Sequence, residues 1–284
     1  MPGLFGKARA AVRIGASPAL WRIVASELCR TRAAVSRREI ELTQLVDDLS
    51  DPALTLLEVA GFRYWEPSTI DCRALAQIHA EVFQEDHPHY YEYKECQIRR
   101  GDVVIDAGAS EGFFTRFALE RGARVLAVEP WSVQADALAR TFAPEIAEGR
   151  AIVHRAALSD REGAAMLEVD PTAPWGATLG RGYRATVTET VPLLTLDRLI
   201  DETWGRCDFL KADVEGAEMQ LMDGARRTLV RDQPRVAVAV YHGATNFLDV
   251  RARLRALRVG YRVTGKGLRR YRFLYVPMLL HAWV

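Results

Sequence analysis

From residue 101 onward, short apolar segments alternate with helical ones, and this alternation restricts the fold more than any other feature of the chain. The apolar segments are DVVIDAG, ARVLAVEP, AIVHRAAL, DFLKADV and RVAVAVY, and then YRVTG and RFLYVPMLLHAWV with KGLRR as the turn between them. The predicted helices are FFTRFALERG, VQADALARTF after an N-cap at Ser132, residues 217–229 and NFLDVRARLRAL. Apolar strands that alternate with helices are typical of a parallel sheet covered on both faces. We therefore predict a doubly wound, mostly parallel α/β sheet.

The first hundred residues predict helices instead. Ser36 and Glu39 form an S-x-x-E capping box before IELTQLVDDL, a pattern typical of a helix N-terminus. Asp51 and Pro52 predict a second helix, which Gly61 ends. A third helix is predicted in TIDCRALAQIHAEVFQ, where apolar residues recur at helical spacing. We expect residues 1–95 to form a basic arm and a helical cap, and residues 96–284 to form the domain that carries the chemistry.

The arm itself, residues 1–38, contains eight lysines or arginines and one acid. Arg13, Pro18 and Arg22 interrupt the apolar core that a signal peptide needs. No apolar run approaches the ~20 residues that are needed to span a bilayer. We expect the arm to pack on its own domain or on a partner subunit, which leaves homo-oligomerisation open. Weak contact with an anionic membrane surface is the alternative.

The overall charge is too small to favour nucleic acid as a partner. Lysines and arginines nearly balance the acids, and the formal net charge is +1, so no strong field surrounds the protein. The four cysteines, at positions 29, 72, 96 and 207, have no C-x-x-C spacing. We therefore predict neither a zinc site nor a disulfide framework, and we expect a cytoplasmic location.

A glycine-rich loop, DAGASEG, follows the first apolar segment. Gly108 and Gly112 have G-x-x-x-G spacing, so the dinucleotide fingerprint G-x-G-x-x-G is not met. The phosphate loop G-x-x-x-x-G-K-[ST] is also absent from the sequence. Because a pyrophosphate needs backbone groups close to it on several sides, the loop favours a cofactor without phosphates.

S-adenosylmethionine is a cofactor of that kind. We expect Asp106 to pair with its ammonium group, directly or through water, and Gly108 to leave room for its amino-acid chain. Glu129 ends the next apolar segment and precedes Pro130. An acid at this position can accept hydrogen bonds from both hydroxyls of a ribose.

At this point the sequence resembles the FkbM-type S-adenosylmethionine-dependent methyltransferases. The similar segments are VVIDAGASEGFFTRFAL, VLAVEP, HRAALSDREGAAMLEV, VPLLTLDRLID and CDFLKADVEGAEMQLMDGARRTL. The resemblance runs from about Val82 to near the last residue, and K-x-D-V-E-G-x-E is its most specific part. It implies a class I methyltransferase fold, a Rossmann-like sheet of seven strands with an antiparallel last strand. It also implies methyl transfer to oxygen on sugars or natural-product scaffolds.

With this resemblance, the predicted cofactor site takes in the glycine loop, the second strand end and the third strand. The predicted cofactor-binding residues are Asp106, Gly108, Ala109, Ser110, Gly112, Phe113, Glu129, Pro130 and Ala157. Many family members have Asn where this chain has Ser110. Trp131 could cover the edge of the adenine. Residues 87–93, HPHYYEY, and residues 171–187, a loop with Trp175, Gly176 and Tyr183, are expected to close the cleft.

The stretch LKADVEGAEM, residues 210–219, carries a lysine and three carboxylates where a strand leaves the core. Alternation along a strand places Lys211, Asp213 and, if the strand persists, Glu215 on one side. His242 follows the next strand and should reach the same cleft. We predict these four residues to be catalytic, with Lys211 setting the charge of the others. Glu218 is predicted only to favour the helix N-terminus.

Two mechanisms remain open from the sequence. An alcohol is a poor nucleophile until its proton is removed or shared. His242, with an ordinary pKa near ~6.5, could be the general base, and Asp213 or Glu215 could orient it or act as the base. The same three side chains could instead hold Mg²⁺ or Mn²⁺, which would orient the hydroxyl of a small-molecule acceptor. The rival functions are a nonenzymatic nucleoside-binding module and an N-methyltransferase.

Overall fold

Strands outnumber helices in the part of the chain that the structure describes. The structure, a computed structural model, describes residues 42–47, 51–179, 186–271 and 274–284. The strands are β1 Leu42–Asp47, β2 Leu54–Val59, β3 Phe62–Pro67, β4 Val103–Ala107, β5 Arg124–Val128, β6 Ala151–His154, β7 Ala157–Leu158, β8 Gly163–Val169, β9 Val187–Leu194, β10 Phe209–Ala212, β11 Arg235–Ala239, β12 Arg262–Tyr271 and β13 Leu274–Trp283. The helices are α1 Cys72–Phe83, α2 Phe113–Glu120, α3 Ser132–Thr141, α4 Ala143–Ala147, α5 Leu196–Glu202, α6 Glu218–Gly224, α7 Arg226–Arg231 and α8 Asn246–Ala256.

The central sheet has seven strands in the order β12-β13-β11-β10-β4-β5-β6. The five strands from β11 to β6 pair in parallel, whereas β13 is antiparallel to both β11 and β12. This arrangement confirms the predicted class I methyltransferase sheet with an antiparallel last strand. Its parallel strands end at one edge, where ligands of such sheets bind.

Burial explains why the inner strands are short and almost wholly apolar. Every residue of β4 and of β10 is buried, because helices cover both faces of the sheet. The charged residues of these two strands are Asp106 in β4 and Lys211 in β10. They are neighbours in the parallel register. Two charged residues side by side in a buried sheet need each other as partners.

The region before α1 folds as a sheet, and the two helices predicted there were wrong. Strands β1, β2 and β3 form an antiparallel three-stranded sheet, and Val59 pairs with Phe62 across a two-residue turn. The turn residues, Ala60 and Gly61, both have positive φ angles of 52° and 84°, as the tight turn of a twisted hairpin requires. Gly61 therefore closes a hairpin rather than ending a helix.

The predicted third helix is confirmed as α1. Leu75 and Val82 are buried on its inner face. Residues of the β1–β3 sheet and of α1 pack into the same hydrophobic core as β4, α2 and β10, in a cluster that includes Leu57, Phe117 and Phe209. The cap and the central sheet therefore share one core.

Four further local predictions differ from the structure. The segment AIVHRAAL is divided into β6 and β7, and β7 belongs to a separate three-stranded sheet of order β7-β9-β8. The helix predicted over residues 217–229 is interrupted at Ala225 between α6 and α7. The predicted turn KGLRR lies inside β12. Ser132 is the first residue of α3 rather than its cap, and its hydroxyl donates to Glu189 Oε2 at 2.8 Å.

Several predictions fall on residues outside the described ranges. They concern the basic arm, the capping box of Ser36 and Glu39, and Tyr183. Within the described ranges, no helix combines the length and the apolar character needed to cross a membrane.

Candidate active site

The glycine loop lies against the end of β10. Gly108 has a φ angle of 73°, and a Cβ atom added there would lie 1.9 Å from the backbone oxygen of Asp213. Only glycine lets the two chain segments approach so closely. The space that we expected Gly108 to leave for the cofactor is therefore occupied by the backbone of Asp213.

Asp106 points into the protein rather than into a cleft. Its side chain is fully buried, with Oδ1 2.9 Å from Lys211 Nζ and Oδ2 accepting a hydrogen bond of 2.7 Å from Thr115 Oγ1. Lys211 Nζ also donates to the carbonyl oxygen of Gly108 at 2.5 Å. The predicted contact between Asp106 and a cofactor ammonium group is replaced by this internal ion pair, which ties the loop to β10.

Gly112 likewise serves packing. A Cβ atom there would lie 2.6 Å from the Phe142 ring and 2.7 Å from Leu138, so the absence of a side chain lets α2 pack against α3. Like Asp106, Gly112 lines neither the cleft beside Glu129 nor the clefts beside Tyr91 and Gln77.

Glu129 directly follows β5 and lines a cleft of about 570 Å³, which we call the Glu129 cleft. Its two carboxylate oxygens accept hydrogen bonds from the backbone N–H groups of Ser110 at 3.1 Å and Trp131 at 3.0 Å. Burial raises the pKa of Glu129 to about 7. Each carboxylate oxygen keeps a second lone pair, so Glu129 can still accept hydrogen bonds from a ligand in the cleft.

The walls of the Glu129 cleft come from the glycine loop, from the small β7-β9-β8 sheet and from the end of β10. The predicted residues Gly108, Ser110, Glu129, Pro130 and Ala157 line it, together with Leu158, Leu167, Leu179, Asp213 and Glu215 among others. Trp131 instead packs in a core cluster with Leu167 and Val191. A mainly apolar wall with a few polar groups is typical of sites that bind small organic ligands, and Glu129 is the polar group that suits a nucleoside.

Two more clefts adjoin the first. The Tyr91 cleft, of about 600 Å³, is lined by the predicted residues Ala109 and Phe113, by His89, Tyr91, Glu111 and Lys211, and by both Asp213 and Glu215. The wider Gln77 cleft, of about 1240 Å³, is lined by Gln77, Glu81, Glu215, Tyr241, His242 and Arg269 among others. Asp213 therefore faces two clefts, and Glu215 faces all three.

Glu111 is a buried acid that the sequence did not single out. It is 4% exposed, and burial raises its pKa to about 7. Among the described residues, its Oε1 atom has no hydrogen-bond partner. A carboxylate in this position can receive a cationic ligand group in the Tyr91 cleft.

Glu215 reaches the junction of the clefts through a strained backbone. Strand β10 ends at Ala212, so strand alternation does not extend to Glu215 as the sequence had suggested. Its φ angle is 48°, a left-handed conformation that costs a residue with a Cβ atom roughly 1–2 kcal/mol. Such strain persists where the surroundings fix it, often at functional sites. Here Thr178 Oγ1 donates to the Glu215 carbonyl oxygen at 3.2 Å.

His242 lies among three carboxylates. Its Nδ1 atom is 2.7 Å from Glu218 Oε1, and its Nε2 atom is 3.2 Å from Glu215 Oε1 and 3.7 Å from Asp213 Oδ1. Burial alone would lower the pKa of His242, but the hydrogen bonds and charges of Glu215 and Glu218 outweigh it and raise the pKa to about 11. The imidazole is therefore protonated at neutral pH unless another cation replaces the proton, so a free base with an ordinary pKa is not present here.

Glu218 has a role that sequence reasoning missed. It begins α6, as predicted, and its Oε1 accepts a hydrogen bond of 3.1 Å from the Gly216 N–H. It is also fully buried, and Asn246 Nδ2 donates to its Oε2 at 3.2 Å. Glu218 thus fixes His242 as well as the helix end. The spacing of E-G-x-E could not reveal this, because His242 arrives from another strand.

Asp213 is also contacted from the cap. The Tyr91 hydroxyl donates a hydrogen bond of 2.8 Å to Asp213 Oδ2. His89 Nε2 lies 3.8 Å from the same oxygen. Burial pushes the pKa of Asp213 upward, but His242, His89 and Lys211 together hold it below its usual value. His89 and Tyr91 of the segment HPHYYEY line the Tyr91 cleft, and Tyr91 additionally binds Asp213.

The four predicted catalytic residues are thus only partly brought together. Asp213, Glu215 and His242 offer one ligand atom each, and these atoms lie within 4.8 Å of one another. Lys211 lies in the adjacent ion pair with Asp106 and acts on the cluster through its charge.

Known proteins with similar sequences are methyltransferases. Residues 106–263, more than half of the chain, match the family model described as the methyltransferase FkbM domain. The methyltransferase sdnD of Sordaria araneosa is 26% identical over 201 residues, which are 60% of this chain and 74% of that protein. A probable ribosomal RNA small subunit methyltransferase A of Methanospirillum hungatei is 47% identical over 49 residues, 17% of this chain and 19% of that protein.

The solved structures that resemble this chain include a methyltransferase. The crystal structure of methyltransferase FkbM from Methylobacillus flagellatus KT aligns with a TM-score of 0.49 and 20% identity, over 75% of this chain and 55% of that one. The chain therefore spans about half the length of this solved relative. The matched family segment contains the glycine loop, Glu129 and the cluster around Asp213. This protein belongs to the FkbM family of S-adenosylmethionine-dependent methyltransferases.

Proposed function

We propose that the protein transfers a methyl group from S-adenosylmethionine to a hydroxyl group of a small-molecule acceptor. The observation that carries this proposal is the position of two carboxylates at the junction of the clefts. Asp213 lines the Glu129 and Tyr91 clefts, and Glu215 lines these two and the Gln77 cleft. A hydroxyl group at this junction would meet a proton acceptor beside the methyl donor.

The residues at the Glu129 cleft fit the nucleoside part of the cofactor. Glu129 can accept hydrogen bonds from the ribose hydroxyls, and the apolar surface of Ala157 and Leu158 suits the adenine ring. Glu111, in the Tyr91 cleft, is better placed than Asp106 to face the ammonium group. When bound, the cofactor supplies a methyl group made electrophilic by a positive sulfonium.

The carboxylate of Asp213 is suited to receive the acceptor's proton. Its low pKa keeps it ionised, and its Oδ1 atom has no hydrogen-bond partner among the described residues. A weak base suffices here, because a hydroxyl oxygen becomes strongly acidic as it bonds to the methyl carbon. In the protein without a metal ion, His242 is an imidazolium and keeps Asp213 ionised. Base catalysis of this kind is worth ~10²–10⁴-fold.

Two alternatives to this mechanism differ in their support. Membership of a methyltransferase family excludes the nonenzymatic nucleoside-binding module. A bound cation that orients the hydroxyl is an alternative use of the same three side chains. Loss of activity in EDTA, restored by added metal, would favour the cation, and indifference to EDTA would favour Asp213 as a plain base.

The experiment that tests the function is a screen of matched acceptors. Sugars and natural-product scaffolds would be offered as pairs in which a hydroxyl is replaced by an amine. We expect S-adenosylhomocysteine release and a methylated product only with the hydroxyl member of each pair. If only the amine members were methylated, the protein would be an N-methyltransferase instead.

A further inference from the structure

We infer that His242, Asp213 and Glu215 form a binding site for a divalent transition-metal ion, with Glu218 fixing the histidine so that its Nε2 atom is the nitrogen ligand. The inference rests on the proposed function and takes a bound cation, rather than Asp213 as a plain base, as the group that would orient the acceptor hydroxyl.

The first support is the way in which Glu218 holds the imidazole. Glu218 Oε1 lies 2.7 Å from His242 Nδ1, and the carboxylate is itself fixed by hydrogen bonds from the Gly216 N–H and Asn246 Nδ2. Histidines that bind metals almost always donate their other ring N–H to a carboxylate, carbonyl or water, which fixes the tautomer and the ring orientation. With the Nδ1–H donated to Glu218, a metal ion that displaces the proton from Nε2 would bind at that nitrogen.

The second support is that the three proposed ligand atoms lie close together. His242 Nε2 is 3.2 Å from Glu215 Oε1 and 3.7 Å from Asp213 Oδ1. Among the described residues, Asp213 Oδ1 has no hydrogen-bond partner, and the His242 side chain is only 10% exposed. Ligands bonded to one ion at about 2.0–2.2 Å are about 3–3.5 Å apart, close to these separations.

The third support is the charge of the cluster. Three carboxylates surround one imidazole, so the cluster keeps an excess of negative charge even when the ring is protonated, and within the described ranges no lysine or arginine forms an ion pair with any of them. Lys211 pairs with Asp106 instead. Buried like charges are costly without a countercharge. The positive sulfonium of the cofactor would offset part of this charge. Unlike a metal ion, however, it cannot be coordinated by the imidazole nitrogen.

The ligand set also selects the metal. One imidazole nitrogen and two carboxylates suit ions such as Mn²⁺, Co²⁺, Fe²⁺ and Zn²⁺. Mg²⁺ prefers oxygen ligands and keeps several of its waters. The site should therefore discriminate against Mg²⁺, which the sequence had left as an equal candidate.

The test uses the full chain, stripped of metal and free of S-adenosylmethionine, with Co²⁺ as the probe. Calorimetry and the visible absorption of Co²⁺ should show one ion per chain, bound at least ~10-fold more tightly than Mg²⁺. Glu218→Gln should weaken Co²⁺ binding by ~10–100-fold. Asp213→Asn and His242→Gln should each weaken it by at least as much.

Asp223→Asn is the matched control. Asp223 lies on the same helix as Glu218, and Arg253 Nη2 lies 3.0 Å from its Oδ2, so this change should leave Co²⁺ affinity unaltered. Thermal unfolding and cofactor calorimetry would verify that each variant is folded.

Two results would overturn the site: no Co²⁺ binding by the wild-type chain, or unchanged affinity in folded Asp213→Asn and His242→Gln. A chain that binds S-adenosylmethionine but not Co²⁺ overturns the metal site and leaves the proposed methyl transfer standing. A chain that binds Co²⁺ as described but methylates only amines supports the site and counts against the proposed acceptor class instead.

Discussion

Two histidines lie on opposite sides of Asp213, and their surroundings differ. His242 comes from the end of β11 and contacts Glu218 at 2.7 Å and Glu215 at 3.2 Å. His89 comes from the cap, and its Nδ1 atom is 3.4 Å from Glu81 while its Nε2 atom is 3.8 Å from Asp213. Carboxylates raise the pKa of His242 to about 11, against burial, whereas burial lowers the pKa of His89 to about 4.

The comparison teaches that proximity to an acid does not by itself set the charge of a buried histidine. Both rings are buried and both have acids nearby. Only His242 has carboxylates within hydrogen-bonding distance on both ring nitrogens, and that is enough to outweigh desolvation. One side of Asp213 is therefore cationic at neutral pH and the other side is neutral.

The largest expected effect comes from removing the acid between the two histidines. Asp213→Asn should lower turnover by at least ~10²-fold, because the amide can neither accept the acceptor's proton nor serve as a full ligand. Turnover would be measured as S-adenosylhomocysteine release with an acceptor from the screen. Near-wild-type turnover in a folded variant would show that the two histidines flank a merely structural acid.

A change far from the histidines should separate cofactor binding from acceptor chemistry. Glu129→Ala should weaken S-adenosylmethionine binding by ~1–3 kcal/mol, because the ribose hydroxyls lose their buried partner. Calorimetry would measure this affinity. The pKa values of His89 and His242 should stay unchanged in this variant, and a shift in either one would show that the two regions are coupled.

The contrast between the histidines can be measured directly. In Glu218→Gln, the pKa of His242 should fall from about 11 toward its ordinary value, because one of its carboxylate partners becomes neutral. The pKa of His89 should remain about 4. Nitrogen-15 NMR of the imidazole rings, without metal, would follow both titrations. A His242 pKa near ~6.5 in the wild type would contradict the comparison.

The two histidines should also affect folding stability in opposite pH ranges. The pKa of His242 is raised in the folded state. The stabilisation of the fold that results is complete below about pH 6.5 and is lost as the pH rises toward about 11. For His89, whose pKa is lowered, stability is lost as the pH falls from about 6.5 toward 4. Urea unfolding would measure the free energy of unfolding of His89→Phe and Glu218→Gln across pH. The loss of stability at low pH should be absent from His89→Phe, and the loss at high pH should be smaller in Glu218→Gln.

The smallest expected effect concerns the cap. Tyr91→Phe removes the hydrogen bond to Asp213 Oδ2, which is worth about 1 kcal/mol, so turnover should fall about fivefold while cofactor affinity is kept. Tyr90→Phe, a tyrosine whose hydroxyl contacts Glu92 instead, is the control and should leave turnover unaltered. Equal losses in both variants would indicate a general loosening of the cap.

The sequence predicted the central sheet well because its strands are recognisable one at a time. The apolar segments ending in Asp106 and Glu129 each became a parallel strand, as burial on both faces requires. The β2–β3 hairpin was missed, because a glycine after an apolar run is typical of a helix end as well as of a hairpin turn. Only the pairing of Val59 with Phe62 decides between them.

The site was predicted less fully than the fold, because its decisive contacts join distant parts of the chain. Asp213 and His242 were recognisable as residues at strand ends. The internal pairing of Asp106 with Lys211 follows from their register in neighbouring strands, which the sequence does not display. The contacts of Tyr91 and Glu218 likewise depend on packing between separate elements.

The position of β13 has a consequence for the order of events during synthesis. This strand is the last one along the described chain, yet it lies between β11 and β12 in space. Because a ribosome delivers the chain from its N-terminus, β11 waits with one edge unpaired until residues 274–283 emerge. The sheet therefore acquires its seventh strand, and the last pairing of β11, only after β4, β5 and β10 have all been synthesised.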